Sequence, residues 1–190
     1  MANLKRIFIA IDVKTPQVVQ KILEIERSLE SLEVPIKTVE PENLHITLAF
    51  IGEVEDDLVE TAKEALREIK GKSIMAEFHG IGAFPNITSP RVVWAGVKGG
   101  SEDIIQLQRK VESALKIYKI GFEKERNFIP HLTLGRIKGR KNIDKLRTFI
   151  EKNADIFFGI EKFEEVKLKE SILTPKGPIY KDLFVQKLEG

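Results

Sequence analysis

The sequence predicts one domain of mixed α-helix and β-strand, built from two similar halves that form two lobes. Strand-like runs alternate with amphipathic helical runs along the 190 residues. A strand-helix-strand order occurs twice at nearly equal length, with 39 positions from Arg6 to His45 and 40 from Arg91 to His131. This repetition indicates a duplication, with repeats at about residues 6–90 and 91–174. No Ser/Pro-rich linker separates them, so residues 1–190 should form one compact unit.

The first half begins with the alternating run Arg6–Ile11, which predicts a strand with one apolar face made of Ile7, Ile9 and Ile11. Thr15 is suited to cap a helix that has Pro16 at its first position. The apolar stripe of this helix consists of Val18, Ile22, Ile25, Leu29 and Leu32. After Pro41, the run His45–Ile51 predicts a second strand. A second helix is predicted through Leu58, Ala62, Ala65 and Ile69.

The second half repeats this order. Arg91–Val97 predicts a strand, and Lys98–Gly100 a turn. Ser101 is predicted to cap a helix whose apolar stripe is Ile104, Leu107, Val111 and Leu115. A strand at His131–Arg136 follows Pro130. Further strands are predicted at Ile74–Phe84, Phe157–Phe163, Val166–Thr174 and Ile179–Leu188, with a turn at Gly177-Pro178 between the last two.

Composition excludes several classes of chemistry. The absence of cysteine removes disulfides, thiolate metal sites and cysteine nucleophiles. Thirty-one basic residues nearly balance 29 acidic ones, so any contact with RNA should be local. No run is apolar for the roughly 20 residues that span a bilayer, and the N-terminus lacks a signal-peptide pattern. We therefore expect a cytoplasmic protein that makes no membrane contact.

Two histidines occupy equivalent places in the two halves, and each is followed two positions later by threonine. Because side chains alternate along a strand, His45 and Thr47 should share a face while Ile46, Leu48 and Phe50 point into the core. His131 and Thr133 should do likewise. Paired imidazoles can take a proton from an attacking oxygen and give one to a leaving oxygen, and hydroxyls can bind phosphoryl oxygens. The pattern favours phosphoryl transfer at an RNA end.

Competing interpretations start from the same residues. A single strand histidine is usually structural, and we expect that role for His79; core packing is expected for Trp94. Phe8 and Tyr180 are expected to pack in the core or at the surface, although either could stack on a base. The histidines lack the spacing of a helical metal site, and no loop ends in Gly-Lys-Ser/Thr, so no metal and no cofactor is predicted. A phosphate-binding module without catalysis remains open.

The chain resembles the RNA 2′,3′-cyclic phosphodiesterases, also called 2′-5′ RNA ligases, of the two-histidine phosphoesterase superfamily. The resemblance covers nearly the whole chain and rests on both His-x-Thr-x motifs with their flanking residues, chiefly Asn43–Leu48, Gly82–Pro85 and Phe128–Arg136. It implies a bilobal α+β fold in which two antiparallel sheets face a central cleft and helices lie outside.

The same resemblance implies roles for individual residues. His45 would donate a proton to the leaving O3′, and His131 would accept one from water, giving a 2′-phosphate. Thr47 and Thr133 would bind the phosphate together with Arg136. Strict alternation would place Arg136 opposite His131, so a bend near Gly135 is required.

The implied partners are RNA or nucleotide ends carrying a 2′,3′-cyclic phosphate, as in RNA or tRNA processing, and the expected state is a monomer. Family members can also join such an end to a 5′-hydroxyl without ATP. Water at about 55 M should outcompete a dilute RNA end unless binding supplies a large effective molarity, so hydrolysis is expected first. Another cyclic phosphate as substrate remains an alternative.

Overall fold

The computed structural model describes residues 3–190 as two antiparallel sheets and four helices, which confirms the predicted α+β class. In chain order the elements are β1 (Lys5–Asp12), α1 (Pro16–Glu30), β2 (Ile36–Thr38), β3 (His45–Val54), α2 (Asp56–Arg67), β4 (Ile74–Phe84), β5 (Val92–Val97), α3 (Ser101–Ile117), β6 (His131–Ile137), α4 (Ile143–Lys152), β7 (Phe157–Phe163), β8 (Glu165–Thr174) and β9 (Gly177–Lys187). In the described part of the chain, no helix is long and apolar enough to cross a membrane.

The two sheets do not coincide with the two halves of the sequence. The first sheet has the strand order β3-β1-β8-β9, and the second has the order β2-β6-β5-β4-β7. Strand β4 lies in the N-terminal half but pairs with β5, and β8 lies in the C-terminal half but pairs with β1. Each half therefore ends in a strand that joins the other half's leading strand. The repeat boundaries at about 6–90 and 91–174 stay a prediction.

The core lies between the sheets and the helices packed on them. Helix α2 contacts β1, β8 and β9 of the first sheet, whereas α1 contacts β2, β6 and β7 of the second. Helix α3 packs against α2 and against β3 and β4. The predicted inward face of β1, made of Ile7, Ile9 and Ile11, is fully buried. Burial of these apolar faces is the main force that holds the sheets in place.

Several element ends differ from the sequence prediction. The N-cap of α3 is Gly100 rather than Ser101. Its φ is +84°, and a Cβ there would lie 2.2 Å from the Met75 carbonyl oxygen, so only glycine fits. Helices α1 and α2 end before Leu32 and Ile69, although both side chains still pack on the core.

The β8–β9 turn was predicted two residues too late in the chain. The turn residues are Pro175 and Lys176, and Gly177 and Pro178 already belong to β9. Proline fits this first turn position because its φ is fixed near −65°. The Thr174 hydroxyl donates to the Gly177 carbonyl across the turn, at 2.5 Å. This shift brings Lys176 to the tip of the hairpin.

Candidate active site

Residues of both sheets line one cleft with a volume of about 270 Å³. This is just below the roughly 300–1,000 Å³ usual for small-molecule sites. His45 and Thr47 enter it from β3, and His131, Thr133 and Arg136 enter it from β6. All five side chains to which the family resemblance gives a catalytic or phosphate-binding role therefore meet in one cavity.

Both imidazoles are held by the same local hydrogen bond. Nδ1 of His45 lies 2.6 Å from the Asn43 carbonyl oxygen, and Nδ1 of His131 lies 2.7 Å from that of Ile129. A carbonyl can only accept, so Nδ1 must carry the hydrogen in each ring. Nε2 is then the atom that can gain or lose a proton.

Aromatic side chains fix the orientation of both rings. The His45 ring packs 5.3 Å from that of Phe8 and edge-on to that of Tyr180 at 5.2 Å, measured between centroids. The His131 ring packs edge-on to that of Phe84 at 4.8 Å. Contacts of this kind restrict rotation about χ2, so each imidazole presents one edge to the cleft.

An irregularity in β3 overturns one prediction. Between Thr47 and Ala49, β3 has one residue more than its partner β1, which forms a bulge. Leu48 and Ala49 are both buried, and strand alternation is lost. Phe50 therefore lies in the cleft and not in the core, where simple alternation would place it. Ile46 and Leu48 are buried as predicted.

Strand β6 contains the same irregularity, and it explains the position of Arg136. Thr133 lies opposite Trp94 and Gly135 opposite Val93, so Leu134 is the extra residue. Leu134 and Gly135 are both buried, and Arg136 returns to the face of the cleft. The register shift falls where the bend was expected. A Cβ at Gly135 would lie 2.8 Å from the side chain of Ile36, so glycine lets β2 approach.

The two histidines differ in their electrostatic surroundings. Burial lowers the pKa of His45; the Asn43 carbonyl and the Asp12 carboxylate raise it in part, while Lys169 and His131 lower it further. The lowered pKa of His45 favours the neutral form of its imidazole. Its Nε2 lies 3.0 Å from the Thr47 hydroxyl oxygen. A bound phosphodiester anion would favour the imidazolium.

A cluster of four charges, made of Asp12, Lys167, Lys169 and Asp182, lies beside His45 on the first sheet. Each ammonium contacts both carboxylates at 2.8–3.0 Å. Asp12 is the β1 residue that pairs with His45 in the β1–β3 ladder. The cluster carries no net charge, because the nearly buried ammonium of Lys169 and that of Lys167 face two carboxylates.

Sequence reasoning missed three of the cations that line the cleft. Arg6, Lys37 and Lys176 line the cleft together with one carboxylate, that of Glu40. Arg6 precedes Phe8 on the same strand face, which is the one signal that could have identified it. Lys37 lies on the three-residue strand β2 and Lys176 at a turn, where no periodicity reveals the direction of a side chain.

The remaining candidates lie as follows. His79 is on β4, outside the cleft, with Nδ1 3.5 Å from the Glu77 carboxylate. Trp94 is half-buried and packs on Phe84 at 5.2 Å. Tyr180 packs on His45 and also lines the cleft. Within residues 3–190, no group of three or more His, Cys, Asp or Glu side chains could hold a metal ion.

Comparison with known proteins gives consistent matches. The family model described as LigT like phosphoesterase matches residues 11–94 and 96–180. A protein of Archaeoglobus fulgidus named RNA 2′,3′-cyclic phosphodiesterase is 44% identical over 180 residues, covering 95% of this chain and 98% of that protein. One of the same name from Aeropyrum pernix is 41% identical, covering 87% and 94%.

Solved structures agree in fold. The crystal structure of E. coli LigT in its apo form superimposes with a TM-score of 0.77 at 23% identity, covering 98% of this chain and 99% of that one. The structure of E. coli LigT complexed with 3′-AMP gives a TM-score of 0.76 at 23% identity and the same coverage.

Proposed function

Because the chain belongs to the LigT-like phosphoesterase family, we propose that it hydrolyses 2′,3′-cyclic phosphodiester ends of RNA to 2′-phosphates, with His45 and His131 as acid and base. The name shared by relatives at 38–44% identity supports the substrate class. The observation that carries the catalytic roles is the pair of imidazoles with identically held Nδ1 atoms in one cleft.

These positions support the following reaction. Nε2 of His131 accepts a proton from water as the water oxygen forms a bond to phosphorus. The bond from phosphorus to O3′ breaks, and Nε2 of His45 donates a proton to that oxygen. The products are a 2′-phosphomonoester and a free 3′-hydroxyl. Hydroxyls of Thr47 and Thr133 and the guanidinium of Arg136 stabilise the charge on the phosphoryl oxygens.

Ligation would be the same chemistry with another nucleophile. A 5′-hydroxyl in place of water would give a 2′-5′ linkage, driven by opening of the strained ring and needing no ATP. Two alternative functions would use the same cleft: hydrolysis of a different cyclic phosphate, or phosphate binding without catalysis. Paired proton-transfer groups favour an enzyme, since binding alone requires neither.

The test is incubation of the protein with a nucleoside 2′,3′-cyclic phosphate in excess chelator, followed by identification of the product isomer. We expect turnover to a 2′-phosphate without added metal, because the cleft supplies proton donors and acceptors. A 3′-phosphate product would contradict the roles given to the two histidines. Turnover that is lost in chelator and restored by a divalent ion would contradict the metal-free reaction, and product binding without turnover would favour the binding module.

A further inference from the structure

We infer that Arg6 belongs to a second anion subsite of the cleft, which binds the phosphodiester on the 5′ side of the terminal nucleotide. The enzyme would then act preferentially on the end of an RNA chain rather than on a nucleoside cyclic phosphate. This inference rests on the proposed function, since it names a further part of the same substrate. Four steps support it.

The first step is the correspondence between the two histidine strands. Phe50 follows His45 by five positions, as Arg136 follows His131, and each reaches the cleft through a bulge at the equivalent place. The guanidinium of Arg6 lies over the Phe50 ring, 5.0 Å from its centroid. A cation–π contact of this kind fixes the direction of an otherwise flexible side chain. Each histidine strand thus has one guanidinium associated with it.

The second step is that the Arg6 charge is not compensated. Within residues 3–190, no carboxylate oxygen lies within 4.0 Å of the guanidinium of Arg6 or of Arg136. The charges of both arginines act on the Tyr180 hydroxyl, and the side chains of all three line the cleft. Ser171 pairs with Arg6 in the β1–β8 ladder and adds a hydroxyl to the lining. A planar guanidinium beside hydroxyl groups is well suited to a phosphate.

The third step is the charge of the adjoining rim. Lys176 at the β8–β9 turn and Lys37 on β2, which pairs with Arg136 in the β2–β6 ladder, also line the cleft. The β8–β9 hairpin and β2 lie close together, as shown by the 3.8 Å that would separate a Cβ at Gly177 from Cε of Lys37. Glu40 is the single carboxylate of the lining, and it lies 3.8 Å from the Lys37 ammonium. Four lysine and arginine side chains against one carboxylate produce a locally positive surface on a nearly neutral protein.

The fourth step identifies the phosphate. The cyclic phosphate would be bound by the two histidines, the two threonines and Arg136. The next negative charge along an RNA 3′ end is the phosphodiester on the 5′ side of the same nucleotide. A cavity of about 270 Å³ holds little more than this terminal nucleotide. The rest of the chain must leave over the rim, where the cations neutralise its backbone.

The experiment compares two substrates and two variants. The substrates are a nucleoside 2′,3′-cyclic phosphate and a dinucleotide with the same cyclic end. For each protein, kcat/KM on the dinucleotide is divided by kcat/KM on the nucleoside cyclic phosphate. We expect Arg6→Gln to lower this ratio about tenfold, because one hydrogen bond to a charged group contributes about that factor. Arg109→Gln is the control: it removes the same charge from helix α3, outside the cleft, and should leave the ratio unchanged.

A dinucleotide with a neutral methylphosphonate linkage tests the same contact from the substrate side. The kcat/KM of the wild-type protein should be about tenfold lower on this dinucleotide than on the charged one. Arg6→Gln should cause no further loss on the neutral dinucleotide, because the contact between the arginine and the phosphate charge is already absent. An unchanged ratio in Arg6→Gln, an equal loss on both substrates, or full additivity with methylphosphonate would overturn the inference. Hydrolysis of neither substrate by the wild-type protein would instead refute the proposed function, and the inference with it.

Discussion

At the scale of single residues, the two imidazoles are held alike but are placed in different surroundings. Both donate Nδ1–H to the carbonyl of the residue two positions earlier. Burial lowers the pKa of His45, whose ring lies against Phe8 and Tyr180. In the proposed reaction, this difference would suit the two identical side chains to separate roles.

Replacing either histidine by alanine tests those roles. General acid–base catalysis is worth about 10²–10⁴ per group, so His45→Ala and His131→Ala should each reduce turnover of a cyclic phosphate by that factor. Both protons move in one transition state, so the double variant should lose much less than the product of the single losses. A substrate whose leaving group needs little protonation should restore the turnover of His45→Ala far more than that of His131→Ala. Normal hydrolysis by both single variants would refute the mechanism.

The pH dependence follows from the direction of the His45 shift. As general acid, His45 must be protonated, and its lowered pKa means that the free enzyme loses this proton at a lower pH than an ordinary histidine does. A bound phosphodiester anion opposes that loss. Both kcat and kcat/KM should give bell-shaped profiles between about pH 5 and 9, with the alkaline limb of kcat at higher pH. Flat profiles, or alkaline limbs that coincide when chemistry limits the rate, would count against the assignment.

The threonines are tested by a change that keeps their shape. Thr47→Val and Thr133→Val preserve the branched side chain that strands favour but remove the hydroxyl donor. Turnover should fall at least about tenfold in each, while the thermal unfolding temperature should change little. Wild-type rates in both variants would show that the hydroxyls serve the fold alone.

At the scale of elements, alternation predicted most of the strands but could not predict their bulges. Period-two patterning correctly placed the His-Thr pairs on one face because both pairs precede the irregularity. A bulge depends on the register of the partner strand, which one sequence does not show, and Phe50 was therefore misplaced. The bend near Gly135 was foreseeable because Arg136 had to reach the same cleft. Strand β2 is too short, at three residues, to produce a pattern.

Helix α1 contains a buried carboxyl that its apolar stripe did not reveal. Glu26 is 4% exposed, and its Oε2 has no hydrogen-bond partner among residues 3–190. Burial raises the pKa of Glu26 to about 8, and the charges of Glu30 and Glu40 add to this effect. Between pH 4.5 and about 8 the folded state therefore holds a proton that the unfolded chain has lost, so stability should fall as pH rises through this window.

Glu26→Gln should remove that dependence. Its free energy of unfolding relative to wild type should increase by about 1–3 kcal/mol between pH 5 and 9, because only the wild-type side chain must bury a charge. Denaturant unfolding at both pH values measures this change. Glu24→Gln, at an exposed position on the same helix, is the control and should show no such trend. A constant difference across the range would mean that Glu26 is ionised or solvated in the folded protein.

At the scale of the whole molecule, the exchange of β4 and β8 makes the two halves depend on each other. The sequence predicted both strands, but the pattern of a buried strand does not identify its neighbours. Without residues 91–190, β4 would lose β5 and β1 would lose β8. We expect residues 1–90 and 91–190, produced separately, to show no cooperative thermal unfolding by circular dichroism. Cooperative unfolding of either fragment alone would contradict this.

The same exchange limits how the cleft can move. The chain passes from one sheet to the other at four connections, from β1 to β2, β2 to β3, β3 to β4 and β7 to β8. An enzyme whose lobes share a single linker can close by rotation about that linker. Here, rotation of one sheet against the other would strain all four connections together. The separation of the two imidazoles is thus a mechanical property of the folded chain, and in the proposed reaction an RNA end would meet an acid and a base that are already in position.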